Sequence, residues 1–207
     1  MHIYALDIET CTDGVNGLDP SESHITSIAV HDGSHGVVFD GSEEAILVLL
    51  ERHLKMLPEG IIVTWNGAAF DMPWLADRFA IHGVKTSLNI VPSDERVPSY
   101  NPIPGHDGGY LASWGVHDHV DVMLQYRLEA KADGRRHGLK AVARHYGIDV
   151  IEVDRENMHL LTVEEEHAYV LSDVNATHIL ASRILEPILA FWSDRRQLAL
   201  LAGDCAA

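Results

Sequence analysis

The sequence predicts an α/β domain in which helices flank a central mixed β-sheet. Three observations lead to this prediction: short apolar segments open the chain as a meander, a helix and a buried strand then alternate, and amphipathic segments fill the second half. No glycine-rich turn of the type that binds dinucleotides or nucleoside triphosphates joins a strand to a helix. We therefore expect one α/β domain over residues 1–207 that is not of the dinucleotide-binding class.

The first three elements read as antiparallel strands. Residues 1–9 carry apolar side chains in a short run, and a second apolar run covers residues 25–30. A turn at residues 31–34, with the sequence His-Asp-Gly-Ser, separates that run from a third at 36–39. Short spacing of this kind is typical of strands joined by hairpins.

A helix, a strand and a second helix follow. Apolar residues recur at steps of three and four from Ile46 to Leu57, which predicts an amphipathic helix. Ser42 is its expected N-cap. Residues 61–65 are short, mostly β-branched and uninterrupted, as in a strand covered on both faces. A helix over 71–82 should then end at Gly83.

Residues 92–117 are rich in proline and glycine, so we expect an irregular insertion there, either a binding element or a variable surface loop. Helices are expected at 121–130 and 136–146. A longer helix over 163–185 should be opened by a capping box at Thr162 and Glu165. The motif-bearing core then covers about residues 1–186, and a final helix should cover residues 188–202.

Charge and composition narrow the classes of function. The 207 residues are 46% apolar, and 15 Lys and Arg face 31 Asp and Glu, for a net charge of −16. That sign opposes nucleic-acid binding by bulk electrostatics, so an anionic substrate would need bound cations or a local basic patch. The chain shows no membrane-length apolar run and no secretory signal, and we expect it in the cytoplasm. Its two cysteines, Cys11 and Cys205, lack the spacing of a zinc site.

Four acids come from three separate elements. Asp7 and Glu9 lie two apart on the first strand, so both project from the same face about 7 Å apart, as metal ligands or as solvated acids. Asp71 starts a helix beyond a strand's carboxyl end, where it could serve the site or cap the helix. Asp173 shares a helix face with Tyr169, four residues earlier.

An oxygen-only ligand set favours Mg²⁺ or Mn²⁺ over zinc. Two such ions can promote hydrolysis of a phosphodiester bond and also reverse the local negative charge. The acids therefore suggest a two-metal phosphodiesterase, provided that the fold brings them together.

Substrate contacts are suggested by a basic row and a few neutral side chains. Arg136, Lys140 and Arg144 recur every four residues on one predicted helix face, as a phosphate track or an ordinary solvated face. Asn66 could form a turn or touch substrate, and Phe70 could stack on a base or belong to the core.

Three segments, in order, resemble the motifs of the DEDD (DnaQ-like) 3'-5' exonucleases, whose fold is ribonuclease-H-like. They are Asp7-Ile8-Glu9-Thr10, Trp65-Asn66-Gly67-x-x-Phe70-Asp71 and Tyr169-x-x-x-Asp173. With the stretch 137–148, they look most similar to stand-alone relatives of the proofreading domain of family B DNA polymerases.

The resemblance implies specific roles. Asp7, Glu9 and Asp173 would hold two Mg²⁺ or Mn²⁺ ions, Asp71 would complete the site directly or through water, and Tyr169 would orient the attacking water. Thr10 would join the substrate contacts. Ala168 stands five residues before Asp173, where one branch of the family needs histidine, so the sequence fits the tyrosine branch (DEDDy).

The implied substrate is the 3' end of single-stranded nucleic acid, DNA more than RNA, with DNA repair or proofreading as the setting and no membrane involved. Three alternatives stay open. A catalytically silent binding module of the same fold would lack metal-dependent nucleotide release. An endonuclease or phosphomonoesterase would use the same acids. A histidine-based hydrolase would centre on His106, Asp107, His117 and His119.

Overall fold

The structure, a computed structural model, describes residues 1–11, 13, 16, 18–93, 103–184, 186 and 188. One seven-stranded mixed sheet forms its centre, with strand order β3-β2-β1-β4-β7-β6-β5. The strands are β1 (His2–Thr10), β2 (Ile25–His31), β3 (Gly36–Phe39), β4 (Gly60–Thr64), β5 (Leu88–Pro92), β6 (Tyr110–Trp114) and β7 (His117–Asp121). The helices are α1 (Glu43–Met56), α2 (Asp71–His82), α3 (Val122–Ala132), α4 (Leu139–His145) and α5 (Val163–Arg183), with a 3-10 helix at Arg155–Leu160.

Parallel pairing at the centre of the sheet places three carboxyl ends at one edge. β1 pairs in parallel with β4, and β4 with β7, whereas the outer strands pair antiparallel. The connections from β4 to α2 and from β7 to α3 therefore leave the sheet on the same side. Ligand sites in open α/β sheets gather at this edge.

Side-chain alternation along β1 separates two apolar cores. Ile3 and Ala5 pack with α3, α4 and α5, whereas Tyr4, Leu6 and Ile8 pack with α1 and α2. The alternation of strand side chains then directs Asp7 and Glu9 to the same face as Ala5, toward α5. The predicted α/β arrangement with a mixed sheet is confirmed, as are the meander, the central strand and the capping box at Thr162.

The irregular stretch predicted at 92–117 contains one strand that the sequence did not indicate, whereas residues 103–109 are irregular as expected and residues 94–102 lie outside the described residues. β5 ends at Pro92, and β6 and the start of β7 occupy residues 110–117. Ala112 and Trp114 of β6 are buried in the apolar core, and antiparallel pairing with β5 satisfies the backbone there. Glycine and proline in the same stretch obscured the strand pattern.

Other boundaries differ by smaller amounts. The helix predicted from residue 136 begins at Leu139, because Gly138 has the extended backbone of an N-cap. Arg136 therefore lies before α4 rather than on it. Ser42 occupies the N-cap of α1 but its side chain makes no capping bond. The helix predicted at 188–202 lies outside the described residues except for residue 188. No helix in the described ranges is long and apolar enough to span a lipid bilayer.

Candidate metal and nucleic-acid site

The end of β1 supplies two carboxylates. Its parallel pairing with β4 ends at Ala5 and Val63, whereas β2 continues beside it, so Asp7 and Glu9 lie beyond the last rung shared with β4. A β-bulge follows between Glu9 and Thr10. Both acids are half-buried at the rim of the core, as the sequence predicts.

The face of α5 supplies the third carboxylate. Asp173 is buried, and its Oδ1 forms an ion pair with Lys140 Nζ from α4. The same Nζ lies 4.4 Å from the ring centroid of Tyr169, one helical turn before Asp173. Lys140 thus contacts the acidic cluster, and its predicted contact with a phosphate stays a prediction.

Asp7, Glu9 and Asp173 come together into one cluster. Each offers a carboxylate oxygen, and these oxygens lie within 4.8 Å of one another, which makes them the one metal-ligand cluster among the described residues. The oxygens come from a strand and a helix more than 160 residues apart in the chain. Carboxylates this close repel one another, so the arrangement suits a hard divalent cation.

Asp71 is buried beside this cluster rather than within it. It is the first residue of α2, with 2% of its surface exposed, and its Oδ1 has no hydrogen-bond partner among the described residues. Burial raises the pKa of the carboxyl well above its usual range, and the negative charge of Asp7 raises it further. The helix N-cap is Phe70, so the capping role considered for Asp71 is not the one it takes.

These observations show that the donor set fits divalent metal. A buried carboxylate oxygen without a partner costs free energy, and its repulsion from Asp7 adds to that cost. A cation between the two acids would relieve both effects. Asp7, Glu9 and Asp173 would hold it directly, with Asp71 at its side.

A cationic cavity adjoins the cluster. Its volume is about 310 Å³, and its lining includes Arg136, Lys140, Arg144 and Tyr169. Arg144 also pairs with Glu152 at 2.6 Å between exposed side chains. The three basic residues therefore do line one surface, although only Lys140 and Arg144 belong to the helix.

The neutral substrate candidates surround the turn before α2. Asn66 has a φ of 70°, in the left-handed region, which makes it a turn-former. Phe70 is half-buried and packs on Trp74 with ring centroids 5.2 Å apart. Thr10 is half-buried at the bulge of β1. Part of each side chain stays accessible at the edge that carries the acids.

Asp121 is a functional candidate that sequence reasoning missed. It ends β7, and its carboxylate accepts hydrogen bonds from the backbone N–H of Asn66, Ala68 and Met123 at 2.9, 3.1 and 3.0 Å. Burial raises its pKa to about 6. From the sequence, an aspartate at the start of a predicted helix indicates a helix cap, but it does not indicate the contact with the turn between β4 and α2.

The histidines proposed for a separate hydrolase have unrelated partners. His106 bonds Asp77 and the Tyr110 hydroxyl, His117 bonds the Leu54 carbonyl, and His119 bonds Thr64. Within the described ranges, they do not form a metal-ligand cluster.

Comparison with known proteins finds relatives in sequence and in fold. A model of the RNase_H superfamily matches residues 4–159, a range that includes Asp7, Glu9 and Asp71 but ends before Tyr169. The catalytic subunit of DNA polymerase epsilon from Arabidopsis thaliana is 28% identical over 148 residues, which are 68% of this chain and 6% of that protein. The corresponding protein from Saccharomyces cerevisiae is 26% identical over 163 residues, 77% of this chain and 7% of that protein.

A solved structure shares the fold. The family B DNA polymerase from the hyperthermophilic archaeon Pyrobaculum calidifontis superimposes with a TM-score of 0.65 at 21% identity, covering 89% of this chain and 24% of that one. The chain thus spans less than a tenth of the two epsilon polymerases and about a quarter of the archaeal polymerase.

Proposed function

The chain belongs to the RNase_H superfamily and has its fold, and from that premise we propose that it is a metal-dependent 3'-5' exonuclease. It would hydrolyse the terminal phosphodiester bond of single-stranded nucleic acid, DNA more than RNA, and release 5'-mononucleotides. The observation that carries the proposal is the cluster of Asp7, Glu9 and Asp173, with oxygens within 4.8 Å of one another beside buried Asp71.

Two Mg²⁺ or Mn²⁺ ions, when bound, would polarise the scissile phosphate, lower the pKa of water and neutralise the leaving oxygen. The chain's own part is to hold and orient. Asp7, Glu9 and Asp173 supply oxygens from a rigid strand and a rigid helix, and Asp71 completes the set from the start of α2. Supporting elements of this kind limit the movement of the ligands.

Tyr169 would position the attacking water. Its side chain is 3% exposed, borders the cationic cavity and lies one turn from Asp173 on α5. A hydroxyl in this place can donate a hydrogen bond to a water at the phosphate, or accept one from it, and stays neutral in both cases. With Tyr169 in this role, the chain would belong to the tyrosine branch of the DEDD exonucleases.

Lys140 would change partner during the reaction. In the structure its ammonium neutralises Asp173. When cations occupy the carboxylates, the same ammonium would be repelled by them and attracted to the phosphate of the substrate. With Arg136 and Arg144 along the cavity, it would hold the strand near the acids despite the net charge of −16.

The direction of digestion and the choice of DNA rest on the relatives. The motifs resemble those of the family B proofreading domain, and the similar proteins are catalytic subunits of DNA polymerases. Proofreading or repair of DNA, in the cytoplasm, is the setting that we infer for this activity.

The test is digestion of an oligonucleotide carrying a 5' label, with Mg²⁺, with Mn²⁺ and with chelator. We expect a ladder that shortens from the 3' end and depends on metal, and its loss in Asp7→Ala. Asp118→Asn, a half-buried aspartate on β7 that is outside the metal-ligand cluster, is the matched control and should digest normally. Matched DNA and RNA strands report the preference.

Three results would contradict the proposal. Binding of the strand without metal-dependent release of nucleotides would indicate a silent binding module. Cleavage of a circular strand would indicate an endonuclease. Activity that survives Asp7→Ala would place the chemistry elsewhere in the chain.

A further inference from the structure

We infer that Asp121 is a positioning residue for this site: its buried carboxylate holds the backbone turn that delivers Asp71 to Asp7 and Glu9. The expected change in rate rests on the proposed function. The expected change in metal binding rests on the structure alone. Asp121 itself is not a ligand of the cluster.

The carboxylate of Asp121 satisfies more donors than a helix cap requires. Oδ1 accepts from the N–H groups of Asn66 and Met123, and Oδ2 accepts from that of Ala68. The bond to Met123 caps α3, a task that serine or asparagine performs equally well. The other two bonds go to the turn between β4 and α2, which explains why a two-oxygen acceptor stands here.

Burying this carboxylate is unfavourable in itself. Asp121 is 5% exposed, and the donors that it meets are neutral backbone amides. A buried charge without a cationic partner costs free energy. Such a cost is typical of residues at functional sites, where geometry outweighs stability.

The turn held by Asp121 is tight, so its conformation determines where Asp71 lies. Asn66 is in the left-handed region, and a Cβ on Gly67 would lie 2.1 Å from the Thr64 hydroxyl. The turn is closed by hydrogen bonds from Phe70 N–H to the Asn66 carbonyl and from Met72 N–H to the Gly67 carbonyl. Asp71 lies between these two donors, so a shift of the turn moves its carboxylate.

We expect substitution of Asp121 to misplace Asp71 in a protein that still folds. Misplacement of a reacting geometry by about 1 Å can lower a rate roughly 100-fold. Loss of a residue that orients a ligand typically weakens metal affinity or activity about 10- to 100-fold. The effect should fall on kcat and on metal binding, because no contact of Asp121 reaches the cationic cavity that would bind the strand.

Two variants separate the turn from the helix cap. Asp121→Ser keeps an oxygen for Met123 but is too short to hold Asn66 and Ala68. Asp121→Asn keeps the Oδ1 bonds and places an N–H donor against the Ala68 N–H. Asp118→Asn, three residues earlier on β7, is the control, because Asp118 pairs with Ile61 and Ser113 rather than with residues of the turn.

The experiment measures thermal unfolding, Mn²⁺ binding from the electron paramagnetic resonance signal of free Mn²⁺, and kcat and KM on a labelled strand. All assays run well below the melting temperature of each variant that folds. We expect Asp121→Ser to lower kcat and Mn²⁺ affinity by about 10- to 100-fold with KM changed less than about threefold. Asp121→Asn should show a smaller loss of both, and it alone decides the test if the serine variant does not fold.

The inference is overturned if Asp121→Ser or, in its place, Asp121→Asn binds Mn²⁺ with wild-type affinity, or if Asp118→Asn loses as much. Absence of nuclease activity in the wild-type protein would instead refute the proposed function. The Mn²⁺ titration would still decide the role of Asp121.

Discussion

Replacement of Lys140 with methionine is expected to tighten Mn²⁺ binding and, at the same time, to slow hydrolysis. The Lys140 ammonium forms an ion pair with Asp173, in the same cluster as Asp7 and Glu9. It therefore competes with a metal ion for one of the carboxylates, while its positive charge is available to a phosphate. Methionine keeps the length and apolar body of the side chain and removes only the charge.

The magnitude follows from Coulomb's law. A single positive charge about 4 Å from a dication costs roughly 2 kcal/mol even at the dielectric constant of water. That energy corresponds to about a 30-fold change in a binding constant. Because the Lys140 side chain is 15% exposed and can turn toward solvent, we expect about tenfold tighter Mn²⁺ binding in the variant. The rate should fall about 10- to 100-fold, since a donor aimed at developing charge is lost.

The assay pairs a Mn²⁺ titration of the protein alone with single-turnover digestion of a labelled strand. Lys55→Met is the matched control, because Lys55 also pairs with a buried glutamate, Glu51, at 2.9 Å but sits on α1, against the opposite face of the sheet. It should leave both measurements unchanged. Unchanged or weaker Mn²⁺ binding in Lys140→Met, with an unchanged melting temperature, would refute the competition.

Four further predictions follow from the same geometry. Tyr169→Phe should leave Mn²⁺ affinity intact and lower the rate of hydrolysis, and a full rate would remove the hydroxyl from the mechanism. Arg136→Gln should reduce the slope of log binding constant against log salt by about 0.7 for single-stranded DNA, and the control Arg52→Gln, on α1, should not. Asp71→Asn should raise the melting temperature in chelator at pH 8 more than at pH 5. The pKa of Asp71 is raised in the folded protein, so this carboxyl ionises at lower pH in the unfolded chain and destabilises the folded protein as pH rises. An equal change in melting temperature at both pH values would contradict this. Glu51→Gln should lower the free energy of unfolding in urea at pH 7 by about 2 kcal/mol, because hydrogen bonds to a charged group are weakened. Burial opposes the charge of Glu51, but hydrogen bonds from Ser87, Lys55, Trp114 and Thr86 lower its pKa to about 2. That contribution is complete above the unfolded pKa near 4.5 and is lost as pH falls toward 2, so a difference that persists at pH 2 would contradict it.

Local patterns were enough for the acids on β1 and α5. A strand places residues two apart on one face, and a helix places residues four apart on one face, so Asp7 with Glu9 and Tyr169 with Asp173 could be grouped before any contact was known. The position of Asp71 beyond a strand's carboxyl end was predictable for the same reason. Its burial and the unpartnered oxygen were not, because both depend on how α2 packs beside β1.

Long-range pairing explains what local patterns missed. β6 and β7 were missed because the glycines and prolines that flank β6 dominate the composition of this stretch, whereas the two strands are stabilised by pairing with β5 and β4. Lys140 looked like a surface residue of a basic row, since helix periodicity says nothing about which face of α4 meets α5. Its ion pair with Asp173 connects residues 33 apart in the chain.

By itself, the sequence determined the order of the elements up to α2 and of the main helices after β7, the phase of side chains along those elements, and a set of oxygen ligands suited to hard cations. Those properties depend on backbone periodicity and residue chemistry, which act over a few neighbouring residues. Only the tertiary structure decided that three carboxylates meet beside Asp71, that Lys140 neutralises one of them, and that Asp121 holds the turn before α2. The physical reason is that these contacts join elements distant in the chain, and their geometry is set by the packing of two cores against one sheet.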